Sequence, residues 1–429
     1  MPSKKRSRTT GRSTTLVPSA SPPTTAEEQP ASTISESRQM SRSLPFDLFF
    51  LVMDSFAAAY NLQRCLWNCR ALYRTLYSCA LTCRSAVKRS QMHLYADVWL
   101  WRLKDFLSFE RTLRDRPDLG LLVHKLRLHL WPAWELVSDI QAPPLGGDVV
   151  ARMRNLRKLD IAGFPNLVAA NGPPDTRLTA FLGSFSQSSE KITNVTLRVW
   201  PFDEYAEILG LSRIFPALQE LSLRGVSWAS VGRIPSGAAL ERDNGLRTLA
   251  LEPTPACFSP QRWNPNMPLG TSSLQRLVFE APYRKTDQHH YSGLASLSRL
   301  VSLYMTFTNE DICLVAAVLR HLQSKKIKRL VFSHRCEGQG RDIALDQLRR
   351  LRLDELLSVP PYEELTDVFW VVYCKNDSDA DGRWTTGIQK HLQGCVRRGI
   401  LRHRVSASEV LMTILGPQNP TATTEIDEV

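Results

Sequence analysis

Apolar residues recur along this chain in one short pattern, aliphatic-x-x-aliphatic-x-aliphatic, with polar or charged residues between them. It reads Leu156-x-x-Leu159-x-Ile161, Leu218-x-x-Leu221-x-Leu223, Leu246-x-x-Leu249-x-Leu251 and Leu274-x-x-Leu277-x-Phe279. It continues as Leu300-x-x-Leu303-x-Met305, Ile327-x-x-Leu330-x-Phe332 and Leu348-x-x-Leu351-x-Leu353, with looser copies at Val123-x-x-Leu126-x-Leu128 and Ile192-x-x-Val195-x-Leu197. The second half of each copy alternates, which predicts a short strand with one buried face. From Ile192 to Ile327 successive copies start 26, 28, 28, 26 and 27 residues apart. Near-equal spacings of this size predict stacked units, each burying its apolar face against the next.

Between the copies the pattern changes period. Asn309 to Leu322 reads as a helix, with Asn309 as a cap, acids in the first turn and bases in the last. Phe202 to Ile214 reads as a second helix, and the proline-bearing stretch Pro253 to Pro268 as a loop. Beyond the repeats, Asp367 to Cys374 is a buried-strand run and Asn376 to Gly382 an acidic turn. Thr385 to Arg398 is helical in pattern, and Ser408 to Leu415 is the last predicted strand. Residues 359–415 are therefore expected to cap the last unit.

Ahead of the repeats the chain is helical in pattern. Pro45 suits a first helical turn, with Ser43 upstream to help satisfy its amides. Leu48, Phe49, Phe50, Leu51, Val52, Met53 and Phe56 then make a helix apolar almost all round, which needs cover on every side. A partner is one way to provide it. Leu76, Cys79, Ala80, Cys83 and Val87 share one face of a second helix, while Leu81 points the other way beside Arg84, suggesting an interface.

These residues resemble an F-box. Leu44, Pro45, Asp47, Leu48, Val52 and Phe56 match its opening, and Cys79, Leu81, Thr82, Cys83 and Arg84 match its Cys-x-Leu-Val-Cys-Arg run. Ser90, His93, Leu94, Tyr95, Val98 and Leu100 resemble its closing tail. Thr82 stands where the family has Val, Ala86-Val87 where it has an aromatic, and the gap from Ala57 to Thr75 is longer than usual. The repeats resemble leucine-rich repeats. The family's Asn or Cys, three residues after the last aliphatic, is replaced by Phe164, Val226, Thr254, Pro282, Thr308 and Arg335, so irregular curvature is expected. Together these features resemble F-box proteins with degenerate leucine-rich repeats, of the fungal type. The expected fold class is α/β. An N-terminal F-box-like helical domain (43–100) is followed by an irregular leucine-rich-repeat solenoid (101–358) and a C-terminal cap (359–415).

Composition narrows the setting. The chain has 429 residues, 43% of them hydrophobic, enough for a large core, and a net charge of +12. Part of that excess is Lys4, Lys5, Arg6, Arg8 and Arg12, in a Ser-, Thr- and Pro-rich stretch (1–42) expected not to order. The basic run is open to two readings, a nuclear import signal or a solvated tail. Residues 416–429 read as a polar tail. Nine scattered Cys fit reduced thiols, hence the cytoplasm or nucleus. No apolar run approaches a membrane span and no secretory signal is expected.

Chemistry-bearing motifs are absent from the pattern. There is no phosphate-binding Gly-rich loop, no H-E-x-x-H and no nucleophile elbow, so no catalytic residue and no cofactor is expected. His289-His290 reads as a solvated loop pair. Cys65-x₃-Cys69 and Cys79-x₃-Cys83 permit a zinc site, with an apolar core face preferred.

The F-box resemblance implies docking on the Skp adaptor of a cullin-containing ubiquitin ligase. Leu44, Pro45, Leu48, Val52, Phe56, Leu81 and Arg84 would form that interface, and the repeats would hold a target protein. In a leucine-rich unit the residues between the aliphatics line the binding face. These are Lys125, Arg127, Lys158, Arg198, Arg224, Arg276, Arg329, Arg350 and Arg352, with Asp160, Glu220, Glu252, Glu280, Asp354 and the single aromatic Tyr304. The basic excess fits an acidic or phosphorylated target; a solvated charged face is the blander reading. A leucine-rich scaffold outside any ligase, or a basic solenoid binding nucleic acid, are the alternatives. The second lacks aromatic interleaving on the expected face.

Overall fold

The computed structural model describes residues 46–62, 69–82, 84–129, 147–163, 182–183, 185, 189–198, 201–204, 208, 211, 214–230, 245–252, 273–280, 294–309, 311–336, 341–374 and 382–406. The chain divides into two units, Met1–Phe49 and Phe50–Val429. Of the first, Phe46–Phe49 are described, and they open helix α1 (Phe46–Leu62). Helices α2 (Cys69–Thr82) and α3 (Arg84–Ala96) follow.

The second unit is α/β, with eleven parallel strands in one sheet. In chain order the strands are β1 (Asp97–Leu100), β2 (Lys125–His129), β3 (Lys158–Ala162), β4 (Asn194–Arg198), β5 (Pro201–Glu204), β6 (Glu220–Arg224) and β7 (Ser227–Ser230). Then come β8 (Thr248–Glu252), β9 (Arg276–Glu280), β10 (Ser302–Thr308), β11 (Arg329–Cys336), β12 (Asp367–Cys374) and β13 (Leu401–Ser406). The large sheet runs β1-β2-β3-β4-β6-β8-β9-β10-β11-β12-β13, while β5 and β7 pair separately.

The register explains the repeat. Leu126, Leu159, Val195, Leu221, Leu249, Leu277, Leu303, Leu330 and Val368 stand side by side on successive strands. Two residues on, Leu128, Ile161, Leu197, Leu223, Leu251, Phe279, Met305, Phe332 and Trp370 make a second row. Side chains two apart share a face, so these rows build one buried side of the sheet. The first aliphatic of each copy, such as Leu156, Ile192, Leu218 and Leu274, is buried just ahead of its strand. One backbone bond repeats at each step: Lys158 N–H donates to the His124 carbonyl, Asn194 to Arg157, Glu220 to Thr193 and Arg276 to Arg247. Ser273 and Ser324 hydroxyls donate to the Leu246 and Leu300 carbonyls of the preceding unit, and the Asn155 amide to that of Leu121. These satisfy turn carbonyls from positions ahead of the first aliphatic.

Several expectations are corrected. Leu348 to Leu353 is not a strand: Arg341–Leu351 and Leu353–Leu356 are helices. Ala344 and Leu348 are buried with Leu345 and Leu351 packed against the core, at i, i+1, i+4 and i+7 along one helix face. The matching strand copy is Leu365-x-x-Val368-x-Trp370. At the other end, Tyr95-x-x-Val98-x-Leu100 supplies β1, so the sheet starts inside the stretch read as the helical domain. The helix expected from Phe202 starts instead with strand β5. Ile312–His321 is helical as expected, with Asp311 rather than Asn309 at its cap position. The region read as a cap contributes two more strands, β12 and β13, to the same sheet, with helices Arg383–His391 and Gln393–Arg397 between them. The strand expected at Ser408 to Leu415 lies outside the described residues, as do the leading segment 1–42 and the tail 416–429.

Asn309 has a different use. Its Oδ1 accepts a 2.6 Å bond from His334 Nε2, and its amide donates to Cys336 Sγ at 3.7 Å. His334 is fully buried between the Phe307 ring, 5.2 Å away and stacked, and the edge of Trp384. Burial pushes its pKa down to about 3. A neutral native imidazole that charges on unfolding opposes folding in acid. Stability is therefore expected to hold above about pH 6.5 and to fall as pH drops from there toward 3, by up to about 1.4 kcal/mol per pH unit. Urea unfolding at pH 7, 6 and 5 checks this: His334→Asn should flatten the slope, and an unchanged slope would assign it to other groups.

Candidate functional site

Helices α1 to α3 have one packed and one solvent-facing side. Met53, Ala57, Leu76 and Leu94 are buried, and Phe56 and Tyr95 pack against Ala57, Leu76 and Leu94. Asp54 ties α1 to α3. It accepts bonds from Arg89 Nε at 3.0 Å, from Arg89 Nη2 and, through Oδ1, stands 2.7 Å from His93 Nε2. The Arg89 guanidinium holds the Asp54 pKa down to about 2, so this carboxylate is charged throughout the physiological range.

On the other side, Leu51 and Val52 of α1 and Tyr77 and Leu81 of α2 are exposed, Leu81 at 71%. Leu48, in the first unit, is exposed too. Of the residues expected at a partner interface, Leu48, Val52, Leu81 and Arg84 thus lie in solvent. Phe56 is corrected: it packs half-buried within the helices. Leu44 and Pro45 lie outside the described residues, as does Cys83. Leu51 and Tyr77 were not singled out because α1 reads as apolar on every side and α2 as facing one core.

The sheet's second face carries the residues between the aliphatics. There the arginines are largely engaged by neighbouring strands. Arg198 on β4 grips Asp160 on β3 with two bonds, Nε at 3.0 Å and Nη2 at 2.9 Å. Arg329 lies 2.9 Å from Asp367, which Arg402 also approaches at 3.7 Å. Arg224 Nε donates to Ser222 Oγ at 3.4 Å. Burial lowers the pKa of Arg276, with Arg329 adding to the effect. Tyr304 is no exposed aromatic; it is buried in an apolar strip with Ala250, Val278 and Val331, flanked by Phe369.

Arg350 and Arg352 are corrected, because the strand that would have placed them on this face is a helix. Arg350 pairs along its own helix with Asp346 at 2.6 Å, and Arg352, at φ 48°, lies 3.6 Å from Glu355. Asp354 is likewise elsewhere, accepting the Gly394 amide at 2.7 and 2.9 Å. Arg350, Arg352 and Asp354 therefore do not contribute to this face.

The first two strands hold a constellation absent from the sequence reading. Trp99 on β1 and Trp101 just beyond it lie 5.6 Å apart, and Trp101 stacks on His129 of β2 at 4.0 Å and 9°. Arg127 covers Trp99, its guanidinium 4.5 Å from the ring centroid, and bonds the buried Asp97 carboxylate at 3.0 Å. Burial lowers the His129 pKa, with Arg198 and Arg127 adding to it against Asp160, so the imidazole is neutral at pH 7. The signal was present in the alternation Val98-Trp99-Leu100-Trp101. It was hidden because Tyr95, Val98 and Leu100 had been read as the end of a helical motif.

Among the described residues no group of three His, Cys, Asp or Glu is placed to hold a metal, and no helix is long and apolar enough to cross a membrane. Comparison with known proteins returns no matching family model and no matching curated protein.

Proposed function

We propose that this chain is the target-recognition subunit of a Skp–cullin–F-box ubiquitin ligase, without catalytic residues of its own. The N-terminal helices would dock on the Skp adaptor, and the repeats, read as an irregular leucine-rich solenoid, would hold the target. The observation that carries the reading is the exposure of Leu51, Val52 and Leu81 on helices whose packed sides are already filled. Val52 and Leu81, left in solvent at F-box-like positions with Leu51 exposed beside them, favour a protein partner. The strand-by-strand register of the aliphatic rows supports the repeat reading of the remainder.

The test is direct. Purified full-length chain should bind a recombinant Skp adaptor in calorimetry, and Val52→Ala/Leu81→Ala should weaken binding by about thirtyfold, the loss of two interface anchors. The thermal melt should barely change, since both side chains lie in solvent. Absence of binding by the unsubstituted chain would overturn the reading.

A further inference from the structure

We propose that the polar face of β1 to β4 is a peptide-recognition site. It takes an acidic segment whose ring-bearing residue, aromatic or proline, packs on the Trp99–Trp101–His129 wall. Its carboxylate would meet Arg198. This deepens the target-binding half of the proposed function and rests on that reading only for its biological role.

Three observations support it. First, Trp101 is 47% exposed although its neighbours on this face are half or fully buried. One face of its indole is backed by the parallel His129 ring. The residue is held in place without being enclosed, a flat apolar platform with a fixed orientation. Such platforms bind rings at low entropic cost, because the aromatic is already ordered.

Second, the platform is braced from beneath. Asp97 bonds Arg127, and Arg127 lies over Trp99, which in turn meets both Trp101 and His129. A half-exposed tryptophan supported by a buried ion pair and a neutral histidine is more than a stray surface aromatic.

Third, the charge around it has a defined sign and scale. On this face β1 to β4 carry Asp97, Lys125, Arg127, Lys158, Asp160 and Arg198, four cations against two carboxylates. Lys125 and Lys158 stand opposite each other in register, with Asp97 of β1 in register on the other side of Lys125. Arg198 spends Nε and Nη2 on Asp160 while its side chain stays 37% exposed. The Asp160 carboxylate thereby orients the guanidinium for a second anion.

The same inventory selects among partners. A cationic ligand is disfavoured by the excess of two positive charges. A nucleic acid strand needs a track of unneutralised cations and several stacking platforms. Here the Asp97 and Asp160 carboxylates stand among the cations and would repel a run of phosphates. A peptide with one ring and one or two acids fits both the platform and the charge.

The experiment uses full-length chain and fluorescein-labelled dodecapeptides with a fixed Tyr-Pro pair among random Asp, Glu, Ser and Gly. Control pools replace the acids with Lys or the Tyr-Pro pair with Ala-Ala, and an oligouridylate of equal length is the nucleic acid arm. Anisotropy should show binding by the acidic ring pool alone. Trp101→Ala should weaken it by about tenfold and Arg198→Gln by about fivefold, while Arg350→Gln, on a distant helix, leaves it unchanged. Melting curves of the variants separate lost binding from lost fold. Equal binding by the Ala-Ala pool, preference for the oligouridylate, no effect of Trp101→Ala, or no binding by any peptide would each overturn the site. Because no Skp adaptor is present, these outcomes are independent of the ligase reading.

Discussion

Arg127→Ala is expected to lower the unfolding free energy by about 3–5 kcal/mol, the cost of leaving one partner of a buried ion pair without the other. Arg127 and Asp97 sit at 8% and 5% side-chain exposure with Nη2 and Oδ2 3.0 Å apart, so water cannot replace the lost bond. The substitution also uncovers Trp99, whose ring the guanidinium covers. The two contributions separate in a double-mutant cycle. Asp97→Leu/Arg127→Met removes both charges at similar volume and should recover most of the loss, since the buried charges cost nearly as much to desolvate as they gain from each other. Urea unfolding followed by far-UV circular dichroism measures both variants. A loss below about 1 kcal/mol for Arg127→Ala would mean the pair behaves as a surface ion pair. The platform proposed for peptides would then lack the brace assigned to it.

The sheet was legible because its rule is local. Each aliphatic-x-x-aliphatic-x-aliphatic copy places its own strand, and the register then aligns Leu159 with Val195 and Leu221 without further information. The rule failed where a second period satisfied it too. Leu348, Leu351 and Leu353 meet the spacing, but Ala344, Leu345, Leu348 and Leu351 also make a helix face, and that longer pattern prevailed. It failed again at Val98 and Leu100, where the resemblance to a family motif absorbed residues that belong to β1. That single displacement hid the aromatic wall, because Trp99 and Trp101 acquire their face only once β1 is paired with β2.

Side-chain chemistry was less legible than position. The sequence correctly puts Arg198, Arg224, Arg276 and Arg329 on one face, yet the number of bases says nothing about their partners. Arg198 and Asp160 are 38 residues apart in sequence and meet diagonally across β3 and β4, while Arg329 and Asp367, also 38 apart, are directly in register. Cross-strand pairing of this kind commits Arg198 and Arg329 to carboxylates of neighbouring strands, which the sequence count does not reveal. Exposure on α1 and α2 was half legible. A helix apolar on every side announces unmet surface, but only the packing of Met53, Phe56 and Ala57 shows which side is left to solvent.

Trp370→Ala should cost about 3–5 kcal/mol, as large aromatic truncations in a packed core do. The indole is fully buried on β12, 5.0 Å from the Phe332 ring and 5.7 Å from Phe307, so its removal leaves a void lined by two aromatic side chains. Trp370→Phe provides the contrast. The Nε1 hydrogen of Trp370 has no hydrogen-bond partner among the described residues, so the smaller ring removes a buried unsatisfied donor while keeping most of the apolar volume. Its cost is expected to stay below about 1.5 kcal/mol. Equal losses for the two variants would show that retained apolar volume does not govern the site. The functional corollary links the ends of the sheet. β12 stands nine strand steps from β1, with no residue shared between their neighbours. Under conditions where Trp370→Ala remains folded, the acidic ring peptides should bind it as they bind the unsubstituted chain. A binding loss in that folded variant would mean that stability at β12 is transmitted along the whole sheet to the Trp101 platform.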